Sequence, residues 1–392
     1  MMLLEHDAKL LLGQFGVVVP EGVLVADAAA ASGVRYPCFV KAQVPVGGRG
    51  KAGGIVRVES EFELREALGR LVGSRIRGHR VHECRLEQPA RGQECYVSLM
   101  LDAQSGEVIV LMSAQGGVDI EQHAGGGKLL RQAAVFDPQD VRRVATAMAA
   151  TLPVFARQAL AEAAGKLTEA FFSLELTLAE INPLFVLPDG TWVAGDAKLV
   201  ADDNAIERQP ALMQLLSARA PAYPEASLKI DHGFDFVRLD EEGDVGMLTT
   251  GAGLSMQLVD ELARRGCRPF NFVDIRTGQF RGSPDRLIQV LRWIGEGRNV
   301  KVILMNFFAG VTDLAELSRL ILVALERTSD IRIPIVIRLI GNGLEAARKT
   351  FEEANASLVV ETDLAKAVDQ VVAIVHAARS VTGAAARPGE LP

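Results

Sequence analysis

The chain has 392 residues, of which 49% are hydrophobic, 23% charged and 5% aromatic, with a formal net charge of −7. That length exceeds what one ordinary core holds and predicts two or three domains, while the acidic balance argues against a nucleic-acid or anionic-membrane partner. No apolar run approaches the roughly 20 residues that span a bilayer, so a cytoplasmic location is expected. The stretch MMLLEHDAKLLL carries His6, Asp7 and Lys9 within its apolar run and reads as an amphipathic helix rather than a signal peptide. Cys38, Cys84, Cys95 and Cys267 are scattered without a CxxC pair, as expected of reduced structural thiols.

Glycine is frequent (37 residues), proline moderate (16), and aliphatic residues outnumber aromatic ones, which suits an α/β fold with tight turns. In chain order, CFVKAQV (38–44), GGIVRV (53–58), RLEQPA (85–90), CYVSLMLD (95–102) and EVIVLMSA (107–114) predict strands. Residues 138–175 predict helices. LTLAEINPLFVLPDG and TWVAGDAKLV then predict two strands joined by a turn at Pro188-Asp189-Gly190. The stretch ARAPAYPEASLKIDHGFDF (218–236) has weak periodicity and is expected to be a linker. Beyond it, GDVGMLTTGAGLSM, PFNFVDIR, NVKVILMNFF and IPIVIRLIGNG each place a strand before a turn and a helix-like segment, and SLVVET leads into a last helix. This alternation predicts a doubly wound parallel sheet with its ligand site at the strands' C-terminal ends.

Two segments carry chemistry. In FVKAQVPVGGRGKAGGIV (39–56) a strand delivers Lys41 to a glycine-rich loop that turns back into a second strand. Glycines let backbone N–H groups approach phosphate oxygens, and Lys41, Arg49 and Lys51 add positive charge. The segment is neither a P-loop nor a dinucleotide fingerprint; a solvated hairpin is the alternative. In AEINPLF (179–185), Glu180 and Asn182 are two apart and share a strand face. Asp196, in AGDAKLV (194–200), can reach Asn182 across a hairpin. Mg²⁺ takes oxygen ligands, usually one or two from protein with phosphates and water completing its shell; structural capping is the alternative.

FVKAQVPVGGRGKAGG, SAQGGVDIE, AEINPLF, GDAKLVADDNA, GAGLSM and RLIGN occur in the order and spacing of succinyl-CoA synthetase β subunits, and over nearly its whole length the chain resembles that family. The resemblance implies an ATP-grasp domain over 1–225, a flavodoxin-like CoA-ligase domain over 237–385 and a flexible tail at 386–392. It implies an ADP-forming acid–CoA ligase, of the kind that serves the tricarboxylic acid cycle, with Mg²⁺, ATP and CoA as cofactor and substrates. Lys41, Gly48, Arg49 and Gly50 match nucleotide-phosphate positions. Glu87 and Glu94 match two acidic nucleotide-binding positions, with the loop between them one residue shorter near Ala90. Asn182 and Asp196 match Mg²⁺ ligands, and Glu180 matches a carboxylate that meets a phosphohistidine from the partner subunit. Pro20 resembles ATP-preferring rather than GTP-preferring members.

The same resemblance places the phosphorylated histidine and most of the CoA site on an α subunit, giving an αβ or (αβ)₂ assembly. None of this chain's histidines stands in a matching context; His123, in EQHAGGGKL, reads as a loop residue. In the family an Asn before GAGLAM and a Gly-Gly-Ile turn bind the acid's carboxylates. Here those positions are Thr250 and the turn Phe308-Ala309-Gly310-Val311-Thr312. After NFVD the run Ile275-Arg276-Thr277-Gly278, with added residues through Phe280 and Ser283, is similar to the corresponding loop of ATP-citrate lyase. Near Arg338, an acidic position has become Ile340. Arg276 has two readings, a bidentate clamp for a further carboxylate or a contact to the α subunit.

Other readings remain: a ligase for a malate- or citrate-like acid, a carboxylate–amine ligase, which would not need residues 237–392, or a regulatory nucleotide-binding paralogue. Retention of Lys41, Glu180, Asn182 and Asp196 speaks against the last.

Overall fold

The computed structural model describes residues 1–27, 29, 33–117, 129–275, 282–310, 312–354 and 358–385. The expected tail 386–392 lies outside the described residues. The chain forms two compact units, Met1–Ala222 and Tyr223–Pro392.

The first unit begins with α1 (Glu5–Gln14), β1 (Gly22–Val25), β2 (Cys38–Ala42), β3 (Ile55–Val58), α2 (Glu61–Leu71), the short pair β4 (Arg75–Ile76) and β5 (His79–Arg80), and β6 (Cys84–Glu87). Strands β1, β6, β2 and β3 form an antiparallel sheet in that order. Helix α2 starts where the Ser60 hydroxyl accepts from the Glu63 N–H. Its apolar stripe, Leu64, Ala67, Leu68 and Leu71, shares one core with Val40, Val58 and Leu86 of the sheet.

A second sheet follows from β7 (Gln93–Leu101), β8 (Val108–Ser113), β9 (Leu130–Ala134), β10 (Leu176–Val186), β11 (Trp192–Ala194) and β12 (Ala197–Ala201). Its helices are α3 (Pro138–Thr151) and α4 (Val154–Ser173), and α5 (Pro210–Ala218) comes after it. Asp137 caps α3 by accepting from the Gln139 and Asp140 N–H groups, with Pro138 opening the helix. The order is β11-β10-β7-β8-β9, and β12 also pairs with β10. Strand β11 pairs with Leu184–Val186 of β10, and β12 pairs with the Leu176–Ile181 portion. TWVAGDAKLV is therefore not the single strand expected: it breaks at Gly195-Asp196, opposite the register shift of β10 between Ile181 and Leu184. The cause is steric. A Cβ on Gly195 would lie 2.3 Å from the Phe185 ring, so the chain passes there as bare backbone.

The second unit contains α6 (Pro224–His232), β13 (Asp235–Arg238), β14 (Val245–Thr249), α7 (Ala252–Arg264), β15 (Asn271–Asp274) and α8 (Asp285–Gly295). It continues with β16 (Val302–Ala309), α9 (Leu314–Arg327), β17 (Ile335–Gly341), α10 (Leu344–Glu353), β18 (Val359–Glu361) and α11 (Leu364–Ala385). Strands β14, β16, β17 and β18 form a parallel sheet in that order. Alternate strand residues feed a core on each face, Met247 and Leu304 on one, Leu248 and Ile303 on the other, as a doubly wound sheet requires.

Strand β15 pairs antiparallel with β13 yet also lies beside β14. The Phe270 and Ile275 N–H groups donate to the Val245 and Thr249 carbonyls at 2.8 and 2.9 Å. Between them the Asn271 side chain accepts from the Met247 N–H at 2.9 Å and donates to the Met247 carbonyl at 2.8 Å. The expected linker is also corrected. Within 218–236 lie a 3₁₀ turn at Ala220–Ala222, helix α6 and the start of β13. Pro224 opens α6 and Gly233, at φ 70°, closes it. No residue of that helix is fully buried, which is why its apolar periodicity is faint.

Candidate functional site

In the first unit a cavity of about 490 Å³ opens where the β2–β3 loop faces the break in the second sheet. The loop's Gly48, Arg49 and Gly50 line one side; Glu180, Asn182, Asp196 and Lys198 line the other. Gly48 has φ +68°, a left-handed conformation that side chains other than glycine rarely adopt, so the tight turn favours glycine. Glu180 and Asn182 do share a face, as their spacing predicted, and the Asn182 N–H donates to the Asp196 carbonyl at 3.3 Å.

Beneath the loop lies a buried ionic network. Lys41 Nζ donates to Glu5 at 2.9 Å, to Glu87 at 2.6 Å and to the Gly195 carbonyl at 2.8 Å. Lys9 Nζ bonds the same three groups at 2.7, 2.5 and 2.9 Å. Arg49 donates to Glu5 at 2.7 Å and to both oxygens of Asp196, and Arg85 donates to Glu87 at 2.6 Å. Lys9, Lys41, Arg49 and Arg85 thus face Glu5, Glu87 and Asp196, leaving a positive excess among these groups.

Burial works to raise the Glu5 carboxyl, but Lys41, Lys9 and Arg49 outweigh it and hold it well below the usual carboxylate range. Burial likewise opposes the charge on Lys41, yet Glu5, Glu87 and Asp196 keep its ammonium firmly protonated. Asp196 is displaced upward, first by burial and then by the Glu5 charge.

Glu180 is half-buried and accepts from the Tyr96 hydroxyl at 3.2 Å. Asn182 clasps Gly117, its Oδ1 accepting from the Gly117 N–H at 2.9 Å and its Nδ2 donating to the carbonyl at 3.2 Å. Asp196 and Asn182 offer oxygen donors of the kind a hard cation takes. Among the described residues no group of three or more His, Cys, Asp or Glu side chains could hold a metal. Lys41 and Glu87, expected to meet the nucleotide, are here bonded to each other. Ala90 is half-buried after β6, and the exposed Glu94 approaches Gly117; neither lines the cavity.

Four members escaped the sequence reading: Glu5, Lys9, Arg85 and Lys198. The signal for the first two was an acid and a base four apart within an apolar helix, a pairing that is costly to bury unless a third charge awaits it.

In the second unit, Thr250 is buried after β14. Its hydroxyl accepts from the Phe308 N–H at 3.1 Å, and its own N–H donates to the Asn306 carbonyl at 3.1 Å. Gly310 is exposed and Thr312 half-buried just beyond β16, and Ile340 is half-buried near the end of β17. Val311, Arg276 and His123 lie outside the described residues. The Asp274 carboxylate accepts from the Gly251 N–H at 2.8 Å, at the start of α7. Nearby, Arg338 donates to the Asn306 amide oxygen at 2.9 Å and to the Thr362 carbonyl at 3.0 Å.

Known proteins agree with this division. The family model described as ATP-grasp domain matches residues 2–186, and that described as CoA-ligase matches residues 248–372. The β subunit of the ADP-forming succinate–CoA ligase of Rubrobacter xylanophilus is 35% identical, covering 96% of this chain and 99% of its own. The corresponding subunit of Thioalkalivibrio sulfidiphilus is 33% identical, over 96% of this chain and 100% of its own. Among solved structures, ATP citrate lyase from Methanothrix soehngenii, in complex with citrate and coenzyme A, superposes with a TM-score of 0.69. It covers 95% of this chain and 99% of that one at 19% identity, a likeness of fold. Among the described residues no helix is long and apolar enough to cross a membrane. With an ATP-grasp domain followed by a flavodoxin-like CoA-ligase domain and full-length relatives of one kind, the chain belongs to the family of β subunits of ADP-forming succinate–CoA ligases.

Proposed function

We propose that the chain binds Mg-ATP in the cavity of its first unit and a small carboxylic acid in its second. It acts with a CoA-binding α subunit, as αβ or (αβ)₂, to form an acyl-CoA thioester with release of ADP and phosphate. The observation that carries this reading is the convergence of the glycine-rich loop, Glu180, Asn182 and Asp196 on one cavity. Backbone N–H groups of Gly48 and Gly50 with Lys41 and Arg49 receive the nucleotide phosphates, and Glu87, Ala90 and Glu94 belong to the nucleotide side. Mg²⁺, held by Asn182 and Asp196, would neutralise β- and γ-phosphate charge and align the transferring group. Glu180 accepts a hydrogen bond from the imidazole N–H of a histidine presented by the α subunit, which fixes the tautomer and supports imidazolium charge. The four cysteines are unpaired and buried, which suits a reducing, cytoplasmic compartment.

Labelled ATP added to the reconstituted αβ pair should give an acid-labile phosphoryl-enzyme, formed more slowly in Glu180→Ala. Labelling that is absent, or unchanged in that variant, would remove the assignment.

For the acid, Thr250, Gly310, Val311, Thr312 and Arg276 are the proposed contacts. A substrate other than succinate is favoured by Thr250, whose hydroxyl is already engaged with the Phe308 N–H and is shorter than an amide. A panel of dicarboxylic and tricarboxylic acids decides; succinate with the highest kcat/KM would end the idea of an altered acid.

A further inference from the structure

One cation over the cavity has no part in the roles above. Lys198 on β12 is the register partner of Glu180 on β10, so the two side chains leave the same face of the sheet side by side. Its Nζ lies 3.9 Å from where a Cβ on Gly47 would sit. The ammonium therefore reaches from beside Glu180 toward the glycine-rich loop, across the space where a nucleotide's terminal phosphate would meet a partner's imidazole.

Its neighbours already have carboxylate partners, which an arriving phosphate must share or displace. Lys9 and Lys41 are held by Glu5, Glu87 and Gly195, and Arg49 by Glu5 and Asp196. The remaining basic residues of the cavity wall, Arg77 and Lys51, are exposed at its outer side. Lys198 is half-buried, and neither an ion pair nor a hydrogen bond ties its ammonium to any described residue. A half-buried cation without a partner gains most from an arriving anion, because little must be broken to meet it. A phosphoryl group passing between the carboxylates of Glu180 and Asp196 needs such a charge.

We propose that Lys198 is a catalytic residue that contacts the terminal phosphoryl group during its transfer. This rests on the phosphoryl-transfer reading given above. In the step, the bond between the terminal phosphorus and its bridging oxygen breaks, and the electron pair stays on the departing ADP. The imidazole nitrogen's lone pair forms the new P–N bond, while the imidazole's other N–H remains donated to Glu180. Lys198 neither gives nor takes a proton: its N–H groups bind the equatorial oxygens, which carry the charge of the transition state.

The test uses the αβ complex with Lys198→Met and Lys198→Arg, following Mg-ADP binding by calorimetry and single-turnover phosphoryl-enzyme formation from labelled ATP. Lys198→Met should bind Mg-ADP within about threefold of the parent and phosphorylate roughly 100-fold more slowly, the usual cost of one transition-state donor. Lys198→Arg should recover part of that rate, since the charge returns with altered geometry. Phosphorylation by Lys198→Met at the parent rate would overturn the proposal. So would parallel loss of ADP binding and rate in both variants, which marks a structural role. A parent complex that forms no phosphoryl-enzyme would instead overturn the reading beneath it, and this proposal with it.

Discussion

Arg49 grips Asp196 with a single guanidinium nitrogen, 3.0 Å from one carboxylate oxygen and 2.9 Å from the other. The carboxylate proposed to hold the metal is thus already occupied, by a side chain from the loop proposed to hold the phosphates. Arg49→Met removes a cation proposed to meet phosphate and uncovers Asp196 at once. Mg-ADP affinity should fall about tenfold or more, the scale of one charge-assisted hydrogen bond. Binding of Mn²⁺ alone, read by electron paramagnetic resonance, should tighten. Unchanged affinity for both would show that Arg49 does not exchange between these partners.

Glu5 is the hub to which Lys9, Lys41 and Arg49 all bond. Glu5→Gln leaves buried cations short of a counter-charge and should cost about 3 kcal/mol at neutral pH, in line with broken buried pairs. The native carboxyl is held below its ordinary value of 4.5. Its stabilisation is therefore full above that value and is lost as pH falls from there through the depressed native one. Urea midpoints followed by Trp192 fluorescence in a Trp293→Phe background should fall with acid more steeply in the parent than in Glu5→Gln. Parallel pH dependences would contradict the assigned coupling.

Gly195→Ala should be expensive for its size. The added methyl would meet the Phe185 ring at 2.3 Å and the Pro183 carbonyl at 3.0 Å. A cost of about 2 kcal/mol is expected for such overpacking, together with slower phosphorylation as Asp196 shifts. Gly310→Ala is the contrast, since nothing lies within 4 Å of its added Cβ. Thermal melts should separate the two, with Gly310→Ala near the parent and any effect confined to the KM for acid.

Thr250→Val keeps the shape and deletes the acceptor of the Phe308 N–H. A loss of about 1 kcal/mol is expected, and the KM for acid should rise while the KM for ATP stays put. An equal rise in both constants would mean that Thr250 acts on the fold rather than on the acid.

The features legible in the amino-acid string were those with a local cause. Alternation exposed β10 and the carboxylate at Glu180, and glycine spacing exposed the β2–β3 loop, because both are set within a few residues. The Gly195-Asp196 break was not legible: it depends on the ring of Phe185 on a neighbouring strand. Glu5 and Lys9 were missed because charge on a short helix ordinarily marks a solvated face, whereas α1 carries both among its buried residues. Lys198 looked like any strand lysine until its register with Glu180 was known.

The Asn271 amide that joins β15 to β14 has a wider consequence. A side chain that imitates a peptide unit lets a two-stranded ribbon be carried on a parallel sheet without obeying its register. Substitutions, insertions and deletions after Asp274 then need not propagate into the strands that hold Thr250 and Asn306. The rim beyond Asp274 can thereby change in length without moving the strands beneath it.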